Sequence, residues 1–361
     1  MPEQSLSQTS IYSARPTLRV NGQEDERVSE LLLAMVMEEA EGGMSTLELR
    51  FVNIAATGDG GTEPAFGAAS ALRLGAEIGV YAGDAASPRE IFLGKVSALE
   101  MVCDFGSPPE LVVLAEDALT LARRGRRSRI YDAMTPAGVV GAVAAELGLQ
   151  AQVDGLTAPV ATWARINETD LGFLRRLLAR FDADLQVVGS RLQVAPRQDV
   201  RRGGIDLTLG NQLSRVRIIA DLAHQATATT VTGWNAADGA AVRGEASTVS
   251  AAGPGRGKNG PDWAREVFGE RSEHVGGLAV VSDAEAAAVS AAALDQRARR
   301  FVRAEGTAEG NAQLRVGCHV TLSRVSPQFD NTYYVVRARH LFDMRQGYRT
   351  EFEAECAFLG Q

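Results

Sequence analysis

Between residues 16 and 120, apolar positions recur mainly at every second residue. In STLELRFVN, Leu47, Leu49 and Phe51 alternate with Glu48 and Arg50. That is the period of a strand with one face in a core and the other in water. PTLRV runs into Asn21-Gly22, a pair suited to the positive φ angles of a tight hairpin turn. LLLAMVMEE, AEIGVYAG, REIFLGKVSALEMVCD and PELVVLAED repeat the strand texture, and residues 55–70, rich in Gly, Ala and Thr, read as a loop. Short strands without long helices predict a small barrel or sandwich. We assign a first β-barrel domain to residues 14–122, preceded by a polar, flexible N-terminus at 1–13.

The period then changes. Thr135-Pro136 is a helix start with proline at the first helical position, Val139, Val143 and Leu147 follow near helical spacing, and Gly148 ends the run. A second amphipathic helix lies in WARINETDLGFLRRLLARF. Leu171, Leu174, Leu178 and Phe181 form its apolar stripe, Phe173 and Leu177 widen it, and Arg175, Arg176 and Arg180 are assigned to the outer face. Asn167 is the expected cap, with Asp170 as a capping-box-like acid. Glu168 and Asp170 suit the positive end of the helix dipole. With the strands of DLQVVGSRLQVAP, these helices define an α+β middle domain at 123–200.

Strand texture returns in IDLTLG, LSRVRIIAD and ATATTVTGWNA. Residues 244–262, rich in Gly and Ser, read as a long exposed loop. Ser282 and Glu285 form a capping-box pattern ahead of an Ala-rich helix at 283–303 whose basic end suits a helix C-terminus. In the closing strand TEFEAECAF, Phe352, Ala354, Cys356 and Phe358 share one face and three glutamates the other, which makes Cys356 a core residue. A second β-barrel domain is assigned to 201–361. The fold class expected is mainly β with an α+β insert: two small β-barrel domains and a helical middle domain.

Composition narrows the function. The 361 residues carry a net charge of −8, which argues against nucleic-acid binding. An apolar run of about 18 residues is missing, so no stable membrane insertion is expected. Cys103, Cys318 and Cys356 lack CxxC spacing and read as free thiols in a reducing compartment. His224, His274, His319 and His340 form no zinc motif, and no metal is assigned. The chain has no GxSxG. GPGRGKNGPD, with Arg256 and Lys258, has no Ser or Thr after its lysine and is read as surface loop rather than phosphate loop. No catalytic residue or cofactor is assigned, and the chain is not expected to be an enzyme. Arg123, Arg124, Arg126, Arg127 and Arg129 form the densest positive charge; together with Arg256 and Lys258 they are the candidate interface residues.

The stretch W-A-R-I-N-E-T-D-L-G-F-L-R-R-L-L resembles the R-E-T-D…F-I-x-R-L-L signature of VgrG spike proteins of type VI secretion systems, shared by phage late control D proteins and contractile-tail hubs. The helix at 135–147 stands where that family has a helix ahead of the motif. Val231-Thr232-Gly233-Trp234-Asn235 resembles its V-x-G-W-D strand, Gly306, Leu314, Gly317 and Val320 follow its next pattern, and Tyr334-Val335-Val336, His340, Tyr348 and Phe352 its final hairpin. The matches run from 130 to 358; the first domain fits by order and texture alone.

The resemblance implies a tail-hub-like homotrimer whose paired barrels make a pseudo-sixfold ring, joining a sixfold tail tube to a threefold spike among other baseplate proteins. Since the sequence stops at Gln361, the family's OB-fold and needle are expected on a separate central spike protein. Assembly in the bacterial cytoplasm into a phage baseplate or phage-like injection particle is implied. Trp163, Arg165, Asn167, Asp170, Leu171, Leu174, Leu178 and Trp234 are the expected structural residues. Rival readings are a soluble adaptor for particle assembly or effector loading, and a cell-entry hydrolase.

Overall fold

The computed structural model describes residues 15–58, 60–67, 70–83, 88–277 and 279–360. The N-terminus expected to be flexible, 1–13, lies outside them. Thr17–Val20 and Gln23–Glu24 pair antiparallel through Asn21 at φ 51° and Gly22 at φ 78°, the left-handed pair the hairpin requires. Thr46–Val52 buries Leu47, Leu49 and Phe51 and turns Glu48 and Arg50 outward.

The two closed barrels expected from the sequence are not formed. Among the described residues, thirteen strands make one open sheet. Its path runs from Leu213–Ala220 through Val302–Glu309, Gly347–Cys356 and Thr332–Asp343. It crosses to Leu32–Ala40, Thr46–Val52, Glu110–Glu116, Arg89–Val102 and Glu77–Ala82, and ends at the N-terminal hairpin. Off this path, Gly204–Thr208 runs parallel to His319–Ser323, which itself pairs with Thr332–Asp343. The crossing is the pairing of residues 337–343 with 34–40, in unbroken register from Arg337↔Ala40 to Asp343↔Ala34. Thr332–Asp343 thus joins the other half of the chain instead of closing its own. Alternation in sequence reports which face is buried; it carries no information on which strand an edge will meet. The architecture is mixed α/β with open sheets.

Among the described residues, five α-helices accompany the sheet. Helix α1, Glu26–Glu30, is a single turn capped by Asp25, whose carboxylate accepts from Val28 N at 3.0 Å. Helix α2, Pro136–Glu146, begins at Thr135, whose hydroxyl accepts from Gly138 N at 3.0 Å. Helix α3 is Asp170–Ala179. Helix α4, Gly260–Phe268, occupies the end of what was expected to be loop 244–262. Its start is written in Asn259-Gly-Pro-Asp: Asn259 Oδ1 accepts from Asp262 N at 2.8 Å, and proline sits in the first turn. Helix α5, Asp283–Arg299, starts at Ser282, whose hydroxyl accepts from Glu285 N at 3.2 Å. It lies across Ala228–Asn235 and Ala240–Ala246, and a Cβ on Gly244 would stand 2.1 Å from the Ala286 carbonyl carbon, so only glycine permits this approach.

Three large cores follow. One fills the first half around Leu18, Leu49, Phe51 and Val80. One joins α2 and α3 to the three-stranded sheet of Gln150–Val153, Ala183–Val188 and Arg191–Pro196. The third lies in the second half around Leu207, Val320, Tyr333 and Phe352, and takes in Cys356 at 1% exposure.

Candidate functional site

The charged start of α3 is built by a strand that turns directly into a helix. Ala161–Glu168 runs antiparallel to Arg127–Met134, with Trp163 and Arg165 turned inward and Ile166 outward. Trp163 Nε1 donates to the Met134 carbonyl at 2.8 Å. Asn167 is not the cap. Its N–H donates to Ser128 Oγ at 3.1 Å, it takes φ 49°, and strand pairing continues to Glu168. The helix therefore begins later, and Thr169 caps it by accepting from Gly172 N at 3.1 Å.

Asp170 is likewise no capping-box acid. Its carboxylate forms an ion pair with Arg165 and accepts from Arg127 Nη2 at 3.0 Å. Tyr131 stacks on Phe173 beside this pair, with ring centroids 5.4 Å apart. Leu171, Leu174 and Leu178 are buried on the inner face.

The arginines assigned to the outer face of α3 have specific partners. Arg176 grips Glu168 at 2.9 and 2.8 Å, holding that carboxyl below its usual range, and also reaches the Ala164 carbonyl. Arg175 Nε donates to the Gly42 carbonyl at 2.6 Å, in the first half of the chain. Arg180 donates to the Ala279 carbonyl at 2.7 Å and to Glu285 of α5 at 2.5 Å, in the second half. One short helix thus ties both halves.

A buried polar joint lies where the three parts meet. Glu39, 2% exposed, accepts from Arg315 Nε at 2.7 Å and Nη2 at 2.5 Å, from Val316 N at 2.7 Å and from Gln186 Nε2 at 3.2 Å. Asp184 accepts from Gly42 N at 3.2 Å and Arg202 Nη2 at 2.7 Å. Arg197 pairs with Glu41 at 2.6 Å and Glu355 at 3.5 Å, and its guanidinium lies 3.8 Å from the Tyr334 ring centroid. Arg299 pairs with Asp182 at 2.5 Å. Burial pushes the Glu41 carboxyl up to about 7 against the pull of Arg197, although the side chain as a whole keeps 28% exposure. His340 is fully buried nearby; burial first, and then the Arg315 charge, push its imidazole down to about 3. Sequence reading found none of these partnerships, because a lone Glu in a strand and a lone Arg in a loop carry no local signal of each other.

The arginine run is largely neutralised inside the chain. Arg123 pairs with Glu116, Arg127 with Asp170, and Arg129 with Glu146, while Arg126 donates to the Asn167 carbonyl at 3.3 Å. Arg124 is exposed. Arg256 is exposed too, with its backbone held by Asn331. Lys258 pairs with Glu266 and sits 4.5 Å from the Trp263 ring centroid. Trp234 is 59% exposed. Among the described residues, no group of three or more His, Cys, Asp or Glu could hold a metal ion, and no helix is long and apolar enough to cross a membrane. The arrangement is suited to holding parts of a chain in fixed relation.

Solved structures with this fold include the 43 kDa tail protein of prophage MuSo2 from Shewanella oneidensis, with TM-score 0.70 and 13% identity over 94% of this chain and 97% of that one. A tail protein from Neisseria meningitidis MC58 gives TM-score 0.65 and 12% identity over 94% and 96% of the two chains. A component of the Escherichia coli type VI secretion system, itself structurally similar to tail proteins of bacteriophage T4, gives 0.55 and 12% identity over 94% and 76%. No curated protein matches the sequence. The family model described as the Alg8 N-terminal domain matches residues 59–343, and the chain belongs to that family.

Proposed function

We propose that the protein is a structural hub in the baseplate of a contractile tail or injection system. It works mechanically, as a homotrimer that joins a sixfold tail tube to a threefold spike, and it resides in the assembled particle. The observation that carries this reading is the single sheet running through both halves, locked to the middle segment at Glu39, Asp184 and Arg197, in a fold shared over 94% of the chain with the tail protein of prophage MuSo2 and with a tail protein of Neisseria meningitidis. A tube-to-spike joint has to transmit force without its parts sliding, and large complementary surfaces serve that need better than a pocket. Residues 14–122, 123–200 and 201–361 act as three segments of one body, and the exposed Arg124, Arg126 and Arg256 are the charges from the candidate interface set that no described carboxylate pairs.

The test is the mass of the purified full chain, alone and mixed with the tube and spike proteins of its own gene cluster, followed by a particle map. Three copies between tube and spike are expected. A chain that stays monomeric with both partners present would overturn the reading. Assembled tail–spike particles persisting after deletion of the gene would replace the hub with an adaptor.

A further inference from the structure

Two exposed apolar patches on the chain carry opposite charge. The first is the outer face of the two-stranded ribbon Arg127–Met134 and Ala161–Glu168. Ile130, 68% exposed, stands opposite Ala164, and Ile166, 71% exposed, lies one diagonal step away. Val160, also exposed, follows the same alternation just ahead of the second strand. The other face of the ribbon buries Tyr131, Trp163 and Arg165, so the outer isoleucines take no part in the core. Arg126 reaches the Asn167 carbonyl beside Ile166, and Arg124 N donates to the carbonyl of exposed Leu121. Neither arginine forms an ion pair with a carboxylate among the described residues.

The second patch is the tip of the hairpin formed by Arg89–Val102 and Glu110–Glu116. Leu99 and Met101 share one face and are exposed, and Phe105 in the turn is fully exposed. Between residues 96 and 110 the chain carries Glu100, Asp104 and Glu110 and no lysine or arginine. That is the inverse of the run 123–129, which carries five arginines and no acid. Glu110 lies 3.6 Å from Arg50, whereas Glu100 and Asp104 form no ion pair among the described residues. Clustered apolar side chains left this open, rimmed by charge, mark contact surfaces. Both patches are open within the single chain, so neither covers the other there.

We propose that the hairpin tip of one copy docks on the ribbon of a second copy, with Met101 and Phe105 covering Ile130 and Ile166 and Asp104 facing Arg124 and Arg126. The occupant is a second copy because the chain itself supplies both the apolar counterpart and the opposite charge. Two different patches make a head-to-tail contact, which repeats from copy to copy and can close into a ring. The proposal rests on the hub reading only for a ring of three. The patches are small beside the about 800 Å² per partner of a stable interface, so they select which faces meet and do not supply the whole affinity.

The experiment is oxidative cross-linking of the full-length protein, because it registers which faces meet even where the contact is weak. Cys103 is exposed in the hairpin turn, while Cys318 and Cys356 are buried. Ile166→Cys therefore offers Cys103 a partner on the ribbon of the next copy. Treated with diamide, this variant should give covalent oligomers that a reductant dissolves, with the bond mapped by mass spectrometry to positions 103 and 166. Adding Cys103→Ser should abolish them. Asp104→Arg should lower the yield several-fold by setting like charges together, and Arg124→Asp with Arg126→Asp in the same chain should restore it. No bond between 103 and 166, or an equal yield from Phe268→Cys on the exposed end of α4, would overturn the proposal. The mass of the untreated chain separates this proposal from the hub reading. A trimer that never forms the bond overturns the docking faces alone; the specific bond in an assembly of another size supports them and overturns the trimer.

Discussion

Arg165 and Asp170 form an ion pair in which both side chains are almost wholly withdrawn from water, at 2% and 1% exposure. Five residues apart, they meet because the chain turns at Asn167 and the helix starts at Asp170, just after the Thr169 cap. Removing one partner strands the other charge in a poorly solvated place. Asp170→Leu alone should therefore cost about 3–5 kcal/mol in denaturant unfolding. The double variant Arg165→Met, Asp170→Leu should recover much of that loss. Equal destabilisation in the single and double variants would show that the charges are not coupled.

The position of the cap separates two neighbouring residues. Thr169→Ala should lower stability by about 0.5–2 kcal/mol, because Gly172 N loses its acceptor. Asn167 holds φ 49°, so Asn167→Gly should be nearly neutral. Thermal unfolding of the two variants side by side gives the comparison, and the reverse order would move the helix start back to Asn167.

Glu39 accepts from four donor atoms of three residues, in the second half and the middle segment, at once. Glu39→Ala leaves the Arg315 guanidinium and Val316 N without their acceptor, a loss of about 3–5 kcal/mol. Hydrogen exchange should quicken first in residues 34–40 and 337–343, where the two halves pair. Uniform quickening across the molecule would mean that the joint is not a distinct weak point.

Two groups, one half-buried and one fully buried, give opposite pH dependences. Glu41 is raised to about 7 from an ordinary 4.5, so the folded state holds its proton more tightly than the unfolded chain. Its contribution is full below pH 4.5 and is lost as pH rises through 7. His340 is lowered to about 3 from 6.5, so the unfolded chain takes up the proton first as pH falls. Its contribution is full above pH 6.5 and is lost as pH falls through 3. Stability of the wild type relative to Glu41→Gln should accordingly decline between pH 4.5 and 7. Relative to His340→Gln it should decline on acidification below pH 6.5. Denaturant midpoints measured across that range test both signs.

Local features were legible in the amino-acid order. The hairpin at Asn21-Gly22, the two-faced strand at Thr46–Val52, the Thr135 and Ser282 caps and the leucine stripe of α3 all follow from neighbours within a few residues. So did the likeness to tail hubs, carried by the order of motifs. The helix α4 was equally legible in Asn259-Gly-Pro-Asp but was hidden by the loop-like composition before it. What tertiary structure alone decided is how these pieces meet: an open sheet joining both halves where two closed barrels were expected, Arg175 and Arg180 reaching outward to either side, and Glu39 held by Arg315 at a separation of 276 residues. The physical reason is range. Periodicity and capping are set by contacts along a single turn or strand, whereas strand partners and buried countercharges are chosen by chain segments that become neighbours only on folding.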